Sequence, residues 1–247
     1  MRHQQIGFSL VELLVAIAIS MVAMVAASSV YVSSKGTSRL NEMQQRLSED
    51  GRFGNAMLQR IISQAGYRET PSTVMDTERI SVVNDVITVK FRTDGATQAV
   101  CDGSTPPAAD QTIVIRKHAT ESKLTCGGTD WIAPAAGGNG TEVMDFNVQM
   151  GLDIGPSTNQ YLGCGATAGG VKPRDCIVDT YSDALGANTA DQIVAIKVCW
   201  VLRSEATDAS IVKAEAVKDC RGGDFAGSKD DRKLYRTFNT TVLLRNR

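Results

Sequence analysis

A glycine and a glutamate near the start of the chain are the residues best placed for chemistry. Gly7 comes directly before an apolar stretch, residues 8–32, in which Glu12 is the only charged side chain. A carboxylate at the start of a membrane helix is costly, and ionisable residues in such segments usually serve a function. Because a buried charge is tolerated when it is paired, we expect Glu12 to meet a cationic group.

The series Gly7, Phe8 and Glu12 resembles the junction of the type IV pilin family, in which a glycine and an aromatic residue precede a glutamate. The resemblance implies that a prepilin peptidase cleaves between Gly7 and Phe8, and that Phe8 becomes the N-methylated first residue. Glu12 would then meet the new amine of a neighbouring subunit in a staggered filament and set the register of assembly. The alternative is a plain signal anchor, in which Glu12 reaches the membrane interface.

One long helix in two halves must position these residues. The apolar stretch of residues 8–32 exceeds the ~20 residues that span hydrocarbon, which predicts a membrane-spanning half. Residues 33–66 keep apolar side chains mostly three or four positions apart, which predicts an amphipathic half that continues to about Gln64 and stops at Gly66. We expect this half to lie against a β-sheet. Its apolar positions are Leu40, Met43, Leu47, Gly54, Leu58, Ile62 and Ala65.

The remainder, residues 67–247, is predicted to be a β domain. Its strand candidates are residues 80–83, 86–92, 112–116, 142–152, 192–202 and 234–244. Since no helix is predicted between them, the strands should form an antiparallel sheet. The expected fold class is therefore α+β, a long N-terminal α-helix packed on an antiparallel β-sheet domain. Long glycine-rich loops are expected at residues 102–111, 127–140 and 151–188.

All six cysteines lie in the β domain, and none belongs to a C-x-x-C pair, so a zinc site is not expected. An even number of cysteines in an exported domain favours disulfides. Sequence alone does not choose among the many possible pairings, but pairing in chain order closes the shortest loops at the smallest entropic cost. The candidates are Cys101, Cys126, Cys164, Cys176, Cys199 and Cys220.

Two further segments resemble a narrower group. Residues 52–67 follow the R-F-x-x-A-x-x-L pattern, ending in an Ala-Gly-aromatic sequence, of the PilW group of minor pilins. The end of the chain, residues 235–247, resembles both PilW-like proteins and the J-type pseudopilins of type II secretion. The resemblance implies a PilW-like type IV minor pilin.

The sequence also excludes several function classes. The charges nearly cancel to a net of -1, so there is no basic excess to bind nucleic acid. With two histidines and no recognisable nucleophile, phosphate-loop or metalloprotease motif, we expect no catalytic residue, no metal site and no cofactor.

The resemblances together imply a minor pilin that primes pilus polymerisation as part of a tip complex. Residues 1–7 would be the leader peptide, residues 8–32 would span the bacterial inner membrane once, and residues 67–247 would lie in the periplasm, reaching the cell surface after assembly. The implied partners are prepilin peptidase, other minor pilins, the major pilin and a tip adhesin. The alternatives are a J-type minor pseudopilin of type II secretion and a signal-anchored periplasmic binding domain.

Overall fold

A single long helix carries the first part of the chain. The structure is a computed structural model, and it describes residues 9–68, 79–155, 174–213 and 215–246. Helix α1, Leu10–Ile62, has 53 residues and is about 80 Å long at 1.5 Å per residue. Gly7 and Phe8 lie outside the described residues. The helix ends slightly earlier than expected, because residues 63–66 form a turn that closes at Gly66.

The β domain consists of two antiparallel sheets, so the expected fold class is confirmed. The first sheet has the order β1-β2-β3-β4-β5, and the second has the order β7-β6-β8-β9. The strands are β1 Ile80–Val83, β2 Val86–Arg92, β3 Asp110–Lys117, β4 Leu124–Cys126, β5 Thr129–Ile132, β6 Thr141–Leu152, β7 Thr180–Ser182, β8 Ile193–Ser204 and β9 Tyr235–Leu243.

Three strands were not predicted, and the expectation of one sheet was wrong. β4, β5 and β7 have only three or four residues each, too few for an alternating pattern to show. Residues 127–140 were expected to be a loop, yet Gly127 and Gly128 form the tight turn between β4 and β5. Both have positive φ, 54° and 95°, as two-residue hairpin turns require.

The second half of α1 packs on the inner face of the second sheet, as its apolar pattern predicted. Leu47, Leu58 and Ile62 are fully buried and belong to one core with residues from both sheets. Two glycines let the helix approach the strands closely. Gly51 lies against the ring of Phe238 in β9, and Gly54 lies against the indole of Trp200 in β8.

Polar contacts fix the rotation and the far end of the helix. The indole nitrogen of Trp200 donates a hydrogen bond to Asn55 Oδ1 at 3.0 Å. At the end of α1, Asn246 Nδ2 donates to the carbonyl of Ser63 at 3.1 Å. Gly66 N donates to the carbonyl of Lys90 at 2.9 Å. Asn246, near the end of the chain, and Lys90 in β2 therefore both hold the turn that ends the helix.

A partly buried charged cluster holds the start of β9. Glu142 accepts hydrogen bonds from Arg203 Nε at 2.6 Å and from Lys233 Nζ at 2.8 Å. Arg203 also lies 3.2 Å from Asp231, which accepts a 2.5 Å hydrogen bond from the Tyr235 hydroxyl. Burial of Glu142 works against ionisation, but the hydrogen bonds from its two cationic partners outweigh burial and lower its pKa.

We predict that Gly54→Ala destabilises the domain. On a free helix this change would stabilise by about 1 kcal/mol, but here the added methyl group overlaps the Trp200 ring. Overpacking of this kind costs about 1–3 kcal/mol, measured as a lower urea midpoint for the full chain in detergent micelles. Gln44→Ala, on the exposed face of α1, is the control and should leave the midpoint unchanged. A Gly54→Ala chain as stable as the wild type would contradict this packing.

We also predict that Glu142 makes the stability of the domain fall in acid. Because folding lowers the pKa of Glu142 below its ordinary value of 4.5, its contribution is fully present above that pH and is lost as the pH falls through the folded-state pKa. Glu142→Gln should cost about 1–3 kcal/mol at pH 7 and should flatten the loss of stability between pH 5 and 3.

Denaturation at a series of pH values tests the contribution of Glu142. Glu215→Gln, at an exposed position, should change the stability at pH 7 by less than about 0.5 kcal/mol. Equal acid sensitivity of the wild type and Glu142→Gln would show that the cluster does not couple folding to pH.

Candidate assembly interface

The first half of α1 projects from the β domain with its apolar side chains uncovered. Leu10, Val22 and Val25 are 75%, 72% and 71% exposed. Among the described residues α1 is the one helix long and apolar enough to cross a membrane, and no part of that segment is buried against the chain itself. An apolar surface of this size marks a binding surface for lipid or protein.

Glu12 lies at the capped start of this surface. Ser9 Oγ accepts a hydrogen bond from Glu12 N at 3.2 Å, and Glu12 Oε2 accepts one from Ser9 N at 2.9 Å. This reciprocal capping box satisfies two amide groups that would otherwise be unpaired at the helix start. The positive end of the helix dipole also favours a negative charge here.

The sequence analysis did not identify Ser9, although the Ser-x-x-Glu spacing of Ser9 and Glu12 is the signature of a capping box. One oxygen of the Glu12 carboxylate is occupied by Ser9, and a carboxylate can accept more than one hydrogen bond. The cap therefore holds the carboxylate at the helix terminus and leaves it able to accept from a second donor.

The middle of α1 is also tied to the β domain, which fixes where the apolar half points. Arg46 donates to the carbonyl of Asn139, and the guanidinium of Arg39 lies 3.8 Å from the carboxylate of Asp208. At Gly36 a side chain would come within 3.0 Å of Ile211. The helix thus leaves the domain at about residue 36, close to the end of its apolar half.

Disulfides hold the loops of the β domain. Cys101 is bonded to Cys126, and Cys199 is bonded to Cys220. Both bridges join cysteines that are neighbours in chain order, as the sequence analysis expected. Cys176 is also disulfide-bonded, while Cys164 lies outside the described residues, so a bond between these two stays a prediction.

The Cys199–Cys220 bridge restrains the long connection between β8 and β9. Cys199 lies within β8, and Cys220 lies in the middle of that connection. The backbone N–H of Cys220 also donates to the carboxylate of Asp145 in β6 at 2.8 Å. The bridge and this hydrogen bond together hold the connection against the outer face of the second sheet.

Comparison with known protein families shows the family to which the chain belongs. The family model described as Type IV Pilus-assembly protein W matches residues 102–246, more than half of the chain. The chain belongs to the PilW family. A second model, described as Prokaryotic N-terminal methylation motif, matches residues 2–28 and includes Gly7, Phe8 and Glu12.

The PilW match begins after the segment of residues 52–67 that carried part of the resemblance, and it includes the C-terminal segment from residue 235 to residue 246. Among solved structures, the Type IV-like pilin TTHA1219 from Thermus thermophilus is similar, with a TM-score of 0.48 and 12% identity over 81% of this chain and 97% of that chain. No curated protein sequence matches the chain significantly.

Membership of the PilW family makes this a pilus-related protein whose partners include other pilus components. The expected resemblance to a PilW-like type IV pilin, made from Gly7 to Glu12 and from the two PilW-like segments, is therefore confirmed.

Proposed function

We propose that this PilW-family chain is a minor pilin that primes pilus polymerisation as part of a tip complex. The observation that carries the proposal is the uncovered apolar half of α1, with one carboxylate at its capped start. A surface of this kind is suited to exchange lipid for the helices of neighbouring subunits, because both surroundings are apolar. The β domain then stays outside the helical core.

The proposed topology follows from the same helix. Residues 1–7 form the leader, which prepilin peptidase removes before Phe8 is methylated. Residues 8–32 cross the inner membrane once, and residues 33–66 connect this span to the periplasmic domain of residues 67–247. After assembly the domain is displayed at the cell surface, where a tip adhesin is a further partner.

Glu12 supplies the specific step in assembly. While the chain is in the membrane, the carboxylate lies near the interface and can remain hydrated. When the helix enters the core of a filament or tip complex, the charge loses water, and an isolated ion there would be unfavourable. The N-terminal amine of an adjacent major or minor pilin, hydrogen-bonded to Glu12, compensates for that loss and selects one axial stagger.

The role we propose is structural and not enzymatic. Within the described residues, the hydrogen-bonded charge cluster of Glu142 with Arg203 and Lys233 joins β6, β8 and the residues just before β9, which is a structural role. A J-type pseudopilin of type II secretion is the second candidate, because the pattern at residues 235–247 is shared with that group. The two candidates have the same architecture and differ in the machine they serve.

We predict that Glu12→Ala leaves membrane insertion and leader cleavage unchanged but prevents incorporation into pili. The reason is that the variant removes the acceptor for the amine of the neighbouring subunit without changing the apolar surface. The amounts of the chain in the membrane and in the sheared pilus fraction are compared by immunoblot.

The matched control is Glu49→Ala, which removes an exposed carboxylate from the outer half of the same helix and should be incorporated normally. Normal recovery of Glu12→Ala in the pilus fraction would contradict the proposed role of Glu12.

A deletion strain separates the two candidate machines. We expect loss of surface pili and of twitching motility, with secreted enzymes at normal levels in the culture medium. Complementation with the full chain should restore motility. Loss of secreted enzymes with pili intact would instead assign the chain to type II secretion.

A further inference from the structure

β9 is an edge strand of the second sheet, and it is longer than the other edge strands. The four edge strands are β1, β5, β7 and β9. The first three have only three or four residues each, and short edges are a common protection against unwanted pairing. β9 has nine residues, and within the part of the chain that the structure describes it pairs only with β8.

The register shows which backbone groups of β9 face outward. Leu244 N donates to the carbonyl of Val194, and Ser204 N donates to the carbonyl of Leu234. In an antiparallel ladder such hydrogen-bonded pairs alternate with pairs whose N–H and C=O groups point away from the partner strand. The ladder between β8 and β9 has no register shift. The outward groups therefore belong to Tyr235, Thr237, Asn239, Thr241 and Leu243.

This edge lacks the devices that normally block strand addition. From Thr237 to Leu243 it contains no charged residue and no proline, and its ladder has no bulge. The side chains of Thr237, Asn239 and Thr241 are exposed, and Leu243 is 59% exposed. A long, regular and uncharged edge of this type is a template for another extended chain.

A groove runs beside the C-terminal part of the edge, between β9 and the outer side of α1. Its volume is about 640 Å³, and among the described residues that line it Arg60 and Arg245 are the only charged ones. Ala56 and Ser63 contribute small side chains on the helix side, which leaves room for side chains that project from an added strand. The groove is thus suited to an extended segment that carries a carboxylate.

We propose that β9 binds an extended, acidic segment of a neighbouring pilus subunit by antiparallel strand addition. The backbone of that segment pairs with Thr237, Asn239, Thr241 and Leu243, and an acidic side chain near its start lies between Arg60 and Arg245. Backbone pairing supplies affinity, while the groove supplies selectivity. This proposal rests on the proposed assembly function and names the chemistry of one partner.

Charge argues against a second copy of the same chain as the occupant. Two β9 strands paired edge to edge would bring Arg236 of each copy toward the basic end at Arg245 of the other. No carboxylate occurs between residues 235 and 246 to offset these charges, and like charges placed opposite one another destabilise strand pairs.

A peptide-binding measurement on the full chain in detergent micelles tests the proposal. The probe is a fluorescein-labelled peptide, Glu-Thr-Val-Thr-Val-Thr-Val, whose first residue meets Arg245 in antiparallel pairing. Anisotropy should rise on binding. A peptide methylated on alternate backbone nitrogens, which cannot form the ladder, should bind at least 10-fold more weakly, as should the peptide with lysine in place of glutamate.

Two variants of β9 separate the backbone contribution from a side-chain contribution. Thr241→Pro removes an outward N–H but leaves the ladder to β8 intact, since the amide of Thr241 does not face β8, and should weaken binding at least 10-fold. Thr241→Ala retains that N–H and should bind like the wild type. Arg60→Glu combined with Arg245→Glu should reverse the preference between the acidic and lysine peptides.

Hydrogen exchange on the wild-type chain provides a readout that does not depend on how a variant folds. The peptide, which reaches from Arg245 to Asn239, should slow exchange at the amides of Asn239, Thr241 and Leu243. Unchanged exchange there, or equal binding of the methylated peptide, would overturn the proposal. Self-association that Thr241→Pro abolishes would also overturn it, in favour of a second copy. Because Glu12→Ala should bind the peptide normally, failure of this interface is distinguishable from failure of the assembly function.

Discussion

The close contact of two helix glycines with two aromatic rings determines how the rest of the molecule is arranged. Gly51 and Gly54 bring α1 against Phe238 and Trp200, and the indole hydrogen bond to Asn55 fixes the helix rotation. Since α1 is continuous from Leu10 to Ile62, this contact also sets the direction of the apolar half. The β domain therefore acts as a fixed base from which the helix projects.

Two chemically different surfaces follow from that arrangement. The projecting half of α1 is apolar and carries one carboxylate. In the proposed assembly its affinity would come from burial and its specificity from one ion pair. Beside the docked half of the helix, the β9 edge provides directional backbone groups and the cationic side chains of Arg60 and Arg245. Helix packing along an axis and strand pairing at the side of the domain are independent contacts. A subunit that makes both can join unlike neighbours in a defined order.

The sequence predicted best those elements that are long enough for the pattern of apolar side chains to repeat several times. The α1 stripe and the long strands β2, β6 and β8 were predicted near their observed positions, because many buried residues repeat at fixed intervals. β4 and β5 are joined by a two-residue turn, and β4 and β7 pair with the longer strands β3 and β6. Segments of three or four residues carry no readable period. Glu12 was found from its charge within an apolar run. The role of Ser9 was recognised from the helix cap in the structure, and the edge position of β9 was recognised from the strand order.

In the proposed assembly, the apolar half of α1 stays on the mature chain and begins at an amine available to a neighbour. Mass spectrometry of the N-terminal peptide, from chain recovered in the membrane and in sheared pili, tests this directly. We predict a peptide that lacks residues 1–7 and starts at N-methylated Phe8 in both fractions. A chain that retains Met1, or one cleaved beyond residue 32 so that the apolar stretch is lost, would contradict it.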